Sequence, residues 1–558
     1  MLGACRRMIS TVASLKIPEI SKRMAVKFVP TIEAAKVDSP MVVKFVTEEN
    51  LTILKASTLV TNPTIAMQME NLTVAPRSMC TVMIPDQTLW NDNFGSVYRN
   101  RLMLVSLGKE ADVDLNTIRE CVNTATVSLR NLNQTRAVME IPKCKTLSPD
   151  KVASTMADII VCSNHLAHDG KYFTSKDKQG TLLKEVELFP SQIEDKQENQ
   201  TIEQAVKFGA LLGEGTVNAR MWANEQSSEM NPRTLELLCR EVCDKNNIEI
   251  SVLQAPDLHR EKLNLIEAVG QGSPVPPRLI VMTYIGDNTK PKFTGLVGKG
   301  VCFDAGGLNL KPTGSIEDMQ LDMGGAAAVL GALETLARMN APVNVVAAIP
   351  AVENMVDAQS YRPGSILQSY DGQFVEVCNT DAEGRLILAD AMAYVQKKYE
   401  LESLVDVCTL TGAICVGLGE YTAGLFGNSG ELAAQLMRAG AEVKEPCWPM
   451  PILKEHVSEI KASTVADLRS MGAGRYGGAC TAAAFLKQFV GKDLPWAHLD
   501  IAGVGMTTKA KDWIPQGGTG YGVQLLTKWL LNRYMTAPDA QKKEGDAFLQ
   551  SMMDENVN

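Results

Sequence analysis

Two carboxylates and a guanidinium lie close together in residues 379–385, NTDAEGR. A strand-like run, residues 374–378, precedes this segment and a helix-like run, residues 386–394, follows it. Such strand-to-helix junctions are where open α/β sheets usually bind ligands. If strand geometry continues through the segment, Asp381 and Glu383 point to the same side. Two parallel carboxylates repel each other unless one is protonated or a cation lies between them, so the segment predicts a binding site.

A second cluster of charged residues lies in residues 297–311, VGKGVCFDAGGLNLK, followed by Asp322. Its glycines allow the backbone to turn sharply and to approach a ligand closely. Residues 295–299, GLVGK, partly resemble a phosphate-binding loop. The first glycine is too close to the lysine, and Gly300 stands where the Ser or Thr that binds magnesium is required. The cluster does not fit nucleotide binding.

A metal site in this chain must be built mainly from carboxylates. The sequence has only five histidines, and His165 and His168 lack the HExxH arrangement. Four acidic residues in the two clusters can hold two divalent cations with bridging oxygens: Asp304, Asp322, Asp381 and Glu383. The alternative is that these acids form internal salt bridges with Lys299, Lys311 and Arg385. Their grouping at glycine-rich turns of one domain favours a site.

The order of strand-like and helix-like segments predicts an α/β protein with two domains. The smaller N-terminal α/β domain is followed by a larger C-terminal catalytic α/β domain with a central, mainly parallel mixed sheet flanked by helices. Expected strands of the second domain are residues 278–285, 293–303, 343–349, 404–410 and 496–502. In the first domain, strand-like runs include residues 41–46, 101–107 and 158–161.

Shifts in composition suggest five segments along the 558 residues. They are a candidate targeting segment (1–25), the N-terminal domain (26–198), a connecting helix or linker (199–224), the C-terminal domain that holds both charged clusters (225–537) and a polar tail (538–558). The targeting segment is basic, with Glu19 as its one acid, and resembles a mitochondrial transit segment. An intracellular protein is expected, with mitochondria slightly favoured over the cytoplasm.

Charge and composition limit the classes of partner. The formal charge of −9 gives no general attraction to nucleic acid or to anionic membranes. No apolar run approaches the roughly 18 residues that a spanning helix requires. The 13 cysteines are scattered without CxxC pairs, which indicates reduced thiols rather than a disulfide framework.

The motifs together resemble those of the leucyl aminopeptidases, the cytosolic-type M17 exopeptidases. NTDAEGRL at 379–386 matches the signature of that family, and VGKGVCFDAGGLNLKP with LDMGGAA matches its companion motif. Further matches are TLTGA at 409–413, GACTAAAFL at 478–486 and WAHLDIAG at 496–503. The resemblance covers about residues 225–535. Departures are Ala305, where Ser or Thr is common, and residues 221–232, which lack the usual NxPxN pattern.

The resemblance implies two divalent metal ions per subunit, zinc or manganese, with magnesium and cobalt as alternatives. At the matching positions one metal is held by Lys299, Asp304, Asp322 and Glu383, and the other by Asp304, Asp381 and Glu383. A lysine can ligate only as the neutral amine, so we expect burial and the adjacent cations to depress the pKa of Lys299.

The implied reaction is removal of the N-terminal residue from peptides by a water that bridges the two metals. By resemblance, Lys311 stabilises the developing gem-diolate oxygen and Arg385 binds a bicarbonate ion that serves as general base. Met319, Thr409 and Ala502 match positions of the pocket for the first side chain, and their apolar character suits Leu or Met. Plain core packing is the alternative for these three residues.

The resemblance also implies a homohexamer, with peptides bearing a free N-terminus as substrates and no membrane partner. A DNA-binding side role exists in some relatives, but the net charge gives it no support. The competing interpretation is a catalytically silent structural or binding protein on the same fold. Loss of a ligand residue would favour it, and all five ligand residues, Lys311 and Arg385 are present.

Overall fold

The computed structural model describes most of the chain in two compact units. The described residues are 24–30, 41–61, 63–83, 101–166, 174–175, 180–190, 195–474 and 476–535. The candidate targeting segment, apart from its last two residues, and the polar tail lie outside them. The first unit runs to Val217 and includes Ala510–Pro515, and the second comprises Asn218–Lys509 and the chain from Gln516 onward. None of the described helices is long and apolar enough to cross a membrane.

The first unit contains a six-stranded sheet with the order β1-β6-β5-β2-β4-β3. Its strands are β1 (Ala25–Phe28), β2 (Met41–Thr47), β3 (Met79–Met83), β4 (Arg101–Gly108), β5 (Arg136–Ile141) and β6 (Glu185–Pro190). All pairings are parallel except the antiparallel pair β3–β4. The helices are α1 (Glu48–Thr61), α2 (Pro63–Gln68), α3 (Leu115–Asn131) and α4 (Pro149–Ser163).

One strand expected in the first unit is wrong, because residues 158–161 lie within helix α4. Pro149 at the first turn suits a helix start, since its missing N–H would have no partner there. Val152, Met156 and Ile159 recur at helical spacing and are buried. The β-branched run therefore belongs to the buried face of a helix, where tertiary packing outweighs strand propensity.

Helix α5 (Lys196–Asn224) follows, and the expected helix or linker at 199–224 lies within it. The division between the two units falls between Val217 and Asn218, inside this helix. The polar composition of residues 191–200 predicts an exposed linker or the start of a connecting helix. Its first four residues lie outside the described part, and its end is helical from Lys196.

The second unit is built on a nine-stranded mixed sheet. The order is β16-β15-β18-β14-β9-β11-β8-β7, and β10 also pairs with β11. These strands are β7 (Glu249–Leu253), β8 (Arg278–Ile285), β9 (Phe293–Gly298), β10 (Gly300–Asp304), β11 (Asn344–Asn354), β14 (Leu401–Cys408), β15 (Ala423–Gly427), β16 (Cys447–Pro449) and β18 (Trp496–Asp500). Strand β11 is buried along its whole length, as expected for a strand covered on both faces.

Helices cover the strands of this sheet, which confirms the predicted α/β fold class. They are α6 (Pro232–Asn246), α7 (Ala255–Glu261), α8 (Asn264–Gly270), α9 (Gly324–Arg338), α10 (Glu383–Lys398), α11 (Gly412–Leu418), α12 (Gly430–Val443), α13 (Lys454–Ile460), α14 (Gly478–Leu486) and α15 (Val523–Met535). Short 3-10 turns are Glu110–Asp112, Met319–Met323 and Lys487–Phe489. The apolar face of α10 packs into a core with strands β9, β11 and β14.

Two details near the charged clusters differ from the sequence expectation. Residues 293–303 form two strands, β9 and β10, because the chain leaves strand pairing at Lys299. The strand before residues 379–385 is β13 (Phe374–Glu376), which belongs to a three-stranded sheet with β12 (Ile366–Gln368) and β17 (Leu468–Arg469). The junction is therefore not at an end of a central strand. A two-stranded ribbon, β19 (Met506–Thr507) with β20 (Gly517–Gly518), completes the second unit.

Candidate metal centre

Lys299 occupies the break between β9 and β10 and is almost fully buried. Its Nζ lies 2.7 Å from Oδ2 of Asp322 and 2.8 Å from Oε1 of Glu383. It also donates to the carbonyl oxygen of Thr409 over 3.1 Å. The side chain therefore contacts a carboxylate from each of two other segments, while the backbone N–H still donates to the carbonyl of Val407 in β14.

Asp304 ends strand β10 and begins a tight loop. Its Oδ1 accepts from the backbone N–H of Gly306 over 2.8 Å, and Lys311 N donates to the carbonyl of Ala305 over 3.0 Å. Gly306 has φ +87°, a conformation that favours glycine. A Cβ there would lie 2.5 Å from the carbonyl oxygen of Asn309, which excludes any side chain. The loop returns Lys311 to Asp304, with Nζ 2.9 Å from Oδ2.

The segment 379–385 meets this loop through Thr380, which is fully buried. Its hydroxyl donates to the Gly306 carbonyl over 2.7 Å, and its N–H donates to Oδ1 of Asn309 over 2.9 Å. Asp381 follows and its Oδ1 lies 2.5 Å from Nζ of Lys311. The two clusters recognised in the sequence are thus one site.

Helix α10 begins at Glu383, so Asp381 and Glu383 are not two positions of one strand. Glu383 is buried, and its neighbour Gly384 lies against Lys299. A Cβ on Gly384 would lie 2.8 Å from Cε and 2.9 Å from Nζ of that lysine. Glycine at this position of the first helical turn therefore makes room for the lysine side chain.

Asp322 belongs to the 3-10 turn Met319–Met323 that precedes α9. Its Oδ1 accepts a hydrogen bond from the hydroxyl of Thr409 over 2.7 Å. Thr409 lies just after strand β14, so the end of this strand supports both Asp322 and Lys299.

Oxygen atoms of Asp304, Asp381 and Glu383 lie within 4.8 Å of one another. Within the described part of the chain, this is the one group of three His, Cys, Asp or Glu side chains whose ligand atoms lie so close. Oε2 of Glu383 is buried and has no hydrogen-bond partner among the described residues. A buried carboxylate oxygen without a donor is costly unless a cation binds it. Carboxylate oxygens together with one lysine nitrogen fit hard or borderline divalent cations.

Three carboxylates of the site, those of Asp322, Asp381 and Glu383, have raised pKa values. Burial, and then the charge of Asp304, raises the pKa of Glu383 to about 8. Burial raises the pKa of Asp322 to about 6, against the lowering effect of Lys299. Burial and Asp304 also raise the pKa of Asp381. Four acids crowd around two lysines, so the site has excess negative charge that divalent cations would neutralise.

Both lysines are held in the charged form by these acids. Burial alone would lower the pKa of Lys299, but Asp322 and Glu383 outweigh it and raise the pKa well above its ordinary value. The pKa of Lys311 is also raised, because Asp304 outweighs its burial. The internal salt bridges that were the alternative to a metal site therefore exist for both lysines. The depressed pKa expected for Lys299 depends on cations displacing its proton.

Arg385 makes no ion pair with the site carboxylates within 4.0 Å in the described structure. It is buried in the first turn of α10, and its Nη1 donates to the carbonyl of Ser470 over 2.9 Å. Its Nε has no hydrogen-bond partner among the described residues. Burial lowers the pKa of this guanidinium, against the effect of Glu383. An unpaired, buried N–H of a guanidinium fits the binding of a small anion.

Of the three expected pocket residues, Met319 and Thr409 adjoin Asp322. Met319 begins the turn that carries Asp322 and is half-buried. Thr409 and Ala502 are also half-buried, and Asp500 joins Ala502 to Leu410, the residue that follows Thr409. Oδ1 of Asp500 accepts from the N–H of Ala502 over 3.3 Å and of Leu410 over 3.2 Å. Ala502 also packs against a small apolar cluster around Ile414 and Phe426, so part of its role is packing.

The sequence motifs did not reveal several residues that support the ligands. Asn354, at the end of β11, donates to Asp304, and Tyr361 donates to the carbonyl of Thr380 over 2.6 Å. Neither belongs to a charged cluster or a glycine-rich turn. A usable signal was the polar Asn at the end of a largely apolar, fully buried strand, because buried polar groups require partners.

Comparisons with known proteins agree with this site. Residues 217–527 match the catalytic domain of the cytosol aminopeptidase family. A probable cytosol aminopeptidase of Roseiflexus castenholzii is 38% identical over 445 residues, 80% of this chain and 89% of the relative. One from Syntrophotalea carbinolica is 38% identical over 429 residues, 76% of this chain and 84% of the relative.

A solved structure of the bottromycin maturation enzyme BotP in complex with Mn is similar with a TM-score of 0.76 and 28% identity. The match covers 89% of this chain and all of that chain. The fold and the carboxylate–lysine site define a metallopeptidase class. The chain belongs to the cytosol aminopeptidase family, M17, which confirms the resemblance read from the motifs. Membership supports divalent metal binding and peptide hydrolysis.

Proposed function

We propose that this protein is a two-metal aminopeptidase that removes N-terminal residues, preferably Leu or Met, from peptides with a free N-terminus. The observation that carries the proposal is the approach of Asp304, Asp381 and Glu383 within 4.8 Å. Lys299 and Asp322 would complete the ligand set, since Nζ of Lys299 contacts the carboxylates of both Asp322 and Glu383. Zinc or manganese are the expected metals, with magnesium and cobalt as alternatives.

The cations, when bound, supply a nucleophilic water at neutral pH and polarise the scissile carbonyl. The carboxylates of Asp304, Asp322, Asp381 and Glu383 would hold the cations, and Lys299 would bind as the neutral amine. Proton release from Lys299 is favoured when the cations neutralise Asp322 and Glu383, since these charges hold its proton in place.

Lys311 is placed to stabilise negative charge that develops on the carbonyl oxygen. Its ammonium is fixed by Asp304 and Asp381 at the edge of the carboxylate group, and its raised pKa keeps it charged at neutral pH. Arg385 is proposed to hold bicarbonate as general base. Its unpaired Nε supports anion binding at this place.

The preference for Leu or Met rests on the three residues that resemble pocket positions. Met319 belongs to the turn that carries Asp322, and Thr409 follows β14 and bonds to Asp322. Ala502 is included for its resemblance alone. Such a lining selects apolar side chains by burial. Comparing kcat/KM for leucyl, methionyl, glutamyl and lysyl amides tests this preference.

The proposal is tested by hydrolysis of a leucyl chromogenic amide with Mn²⁺ or Zn²⁺, before and after chelation. Activity should disappear with chelator and return with metal. An N-acetylated leucyl amide should be resistant. If the metal-loaded protein is inactive on a panel of unblocked peptides but binds metal, the silent structural or binding protein becomes the better interpretation.

Asp381→Ala should abolish turnover while leaving the fold intact, because Asp381 lies in a turn and its side chain is one-third exposed. Asp371→Ala is the matched control. This aspartate also lies in a turn and bonds only to neighbouring residues. Circular dichroism of both variants should match the unmodified protein.

The proposal extends to the oligomeric state and the cellular compartment of the protein. A homohexamer is expected, and light scattering of the purified protein measures its mass directly. We place the protein inside the cell, as the cytosol aminopeptidase names of its relatives indicate. The mitochondrial alternative rests on the basic residues before position 25 and is tested by import with and without that segment.

A further inference from the structure

Asn354 stands beside the candidate metal centre at the end of the central strand β11. In the parallel pairing of β10 with β11, Asn354 lies opposite Asp304. The backbone carbonyl of Asn354 accepts from the N–H of Ala305 over 3.0 Å. The side chain is fully buried.

The carboxamide of Asn354 joins both halves of the site. Its Nδ2 donates to Oδ1 of Asp304 over 2.8 Å and to the carbonyl of Thr380 over 2.9 Å. The hydroxyl of Tyr361 donates to the same Thr380 carbonyl over 2.6 Å. Since Thr380 directly precedes Asp381, this amide fixes the spacing between Asp304 and Asp381.

The orientation of the amide follows from its neighbours. Both atoms facing Nδ2 are acceptors, a carboxylate oxygen and a carbonyl oxygen, so the reverse orientation would place three acceptors together. Oδ1 of Asn354 has no hydrogen-bond partner among the described residues. It faces Gly307, where a Cβ would lie 2.8 Å away. Only an NH₂ group can donate to both partners from this position.

We propose that Asn354, assisted by Tyr361, is the positioning residue that orients Asp304 and the Thr380–Asp381 peptide for binding of divalent cations. Gly306 N–H and Asn354 Nδ2 both donate to Oδ1 of Asp304. The other oxygen of Asp304, Oδ2, contacts Nζ of Lys311. The inference rests on the proposed metal centre, and it adds a residue that touches neither metal nor substrate.

The test compares Asn354→Ala with Asn344→Ala. Asn344 is the first residue of the same strand and is also buried, and its Nδ2 donates to two carbonyls, those of Asp287 and Lys290. Both variants lose an amide with two donor contacts, but only Asn354 contacts the candidate metal site. If both variants lose the same thermal stability, any difference in their Mn²⁺ affinity comes from the site and not from folding.

Titration calorimetry with Mn²⁺ is the readout. Asn354→Ala should weaken Mn²⁺ binding about 10- to 100-fold, the range for partners of metal ligands, and lower kcat more than it raises KM. Asn344→Ala should leave Mn²⁺ affinity unchanged. Wild-type affinity in Asn354→Ala, or the same loss in Asn344→Ala, overturns the proposal.

Tyr361→Phe covers the case in which Asn354→Ala does not fold. It removes one donor from the Thr380 carbonyl and keeps the ring, so folded protein with weaker Mn²⁺ binding is expected. Unchanged binding would contradict the inference. If the unmodified protein binds no Mn²⁺, the proposed function fails together with this inference. If it binds Mn²⁺ and hydrolyses peptides while Asn354→Ala does the same, only the positioning role fails.

Discussion

The hydroxyl of Thr409 donates to Oδ1 of Asp322 over 2.7 Å, and the carbonyl oxygen of Thr409 accepts from Nζ of Lys299 over 3.1 Å. A single residue at the end of β14 therefore supports an acidic and a basic member of the same site. Thr409 also resembles a residue of the pocket for the first side chain. The proposed function therefore gives this one position a part in both metal binding and substrate selection.

Replacing Thr409 by Val should separate these two roles. Valine keeps the shape of the side chain but removes the hydroxyl, so Asp322 loses a donor while the pocket keeps its volume. We expect activity at limiting Mn²⁺ to fall by about 10-fold or more, with an unchanged preference among apolar substrates. Thr335→Val is the control, because the hydroxyl of Thr335 donates only to the Gly331 carbonyl within helix α9. Equal activity of the two variants would contradict the role of Thr409.

Gly384→Ala should damage the site even though alanine is the better helix former by about 1 kcal/mol. The added methyl group would overlap Nζ and Cε of Lys299. Lys299 must then move away from Asp322 and Glu383, and we expect a large loss of kcat with little loss of helix content. Gly430→Ala at the first position of α12 is the control, because a Cβ there meets no atom within 4 Å. Activity close to wild type in Gly384→Ala would show that Lys299 has more space than the structure gives it.

Metal removal should lower the melting temperature as well as the activity. A cation that binds only the folded protein stabilises it by about 1.4 kcal/mol for each tenfold excess of free metal over Kd. Melting curves at increasing free Mn²⁺ measure the effect, and Asp381→Ala should show a smaller rise. A melting temperature that changes with neither chelator nor added Mn²⁺ would argue against a bound metal.

Asp390 should give the fold a pH dependence that is independent of the metals. This buried carboxylate accepts from the N–H groups of Leu265, Ile266 and Tyr370. Burial raises its pKa from 3.8 to about 7. Between those values the folded protein retains a proton that the unfolded chain has lost. The contribution of Asp390 is therefore complete below about pH 4 and declines as pH rises to about 7.

Asp390→Asn isolates this effect, because the amide does not titrate. The variant should be less stable at pH 4, since its NH₂ group faces backbone donors. Its deficit should shrink towards pH 7 as the unmodified protein loses its own contribution, at about 1.4 kcal/mol per pKa unit. Urea unfolding of both proteins at several pH values provides the comparison. A constant difference across this range would refute the raised pKa.

Much of the site could be predicted from residue types and local spacing. Acids and lysines in apolar, glycine-rich sequence require partners, and Lys299, Asp304, Lys311, Asp322, Asp381 and Glu383 do meet in the structure. The strand expected at 278–285 has the predicted bounds, because a long apolar β-branched run bounded by turns is a strong local signal. Local signals failed at 158–161, where the packing of a whole helix outweighed the strand propensity of a few residues.

The sequence by itself determined the chemistry available to this protein: a family signature, an oxygen-rich ligand set and an arginine beside it. Tertiary structure decided how those groups are arranged. It turned Asp381 and Glu383 away from a shared strand face, placed Lys299 in a break between two strands, and brought Asn354 against Asp304 and Thr380. The physical reason is that charge and donor type belong to single residues. The choice of partner for each buried polar atom depends on segments far apart in the chain that only folding brings together.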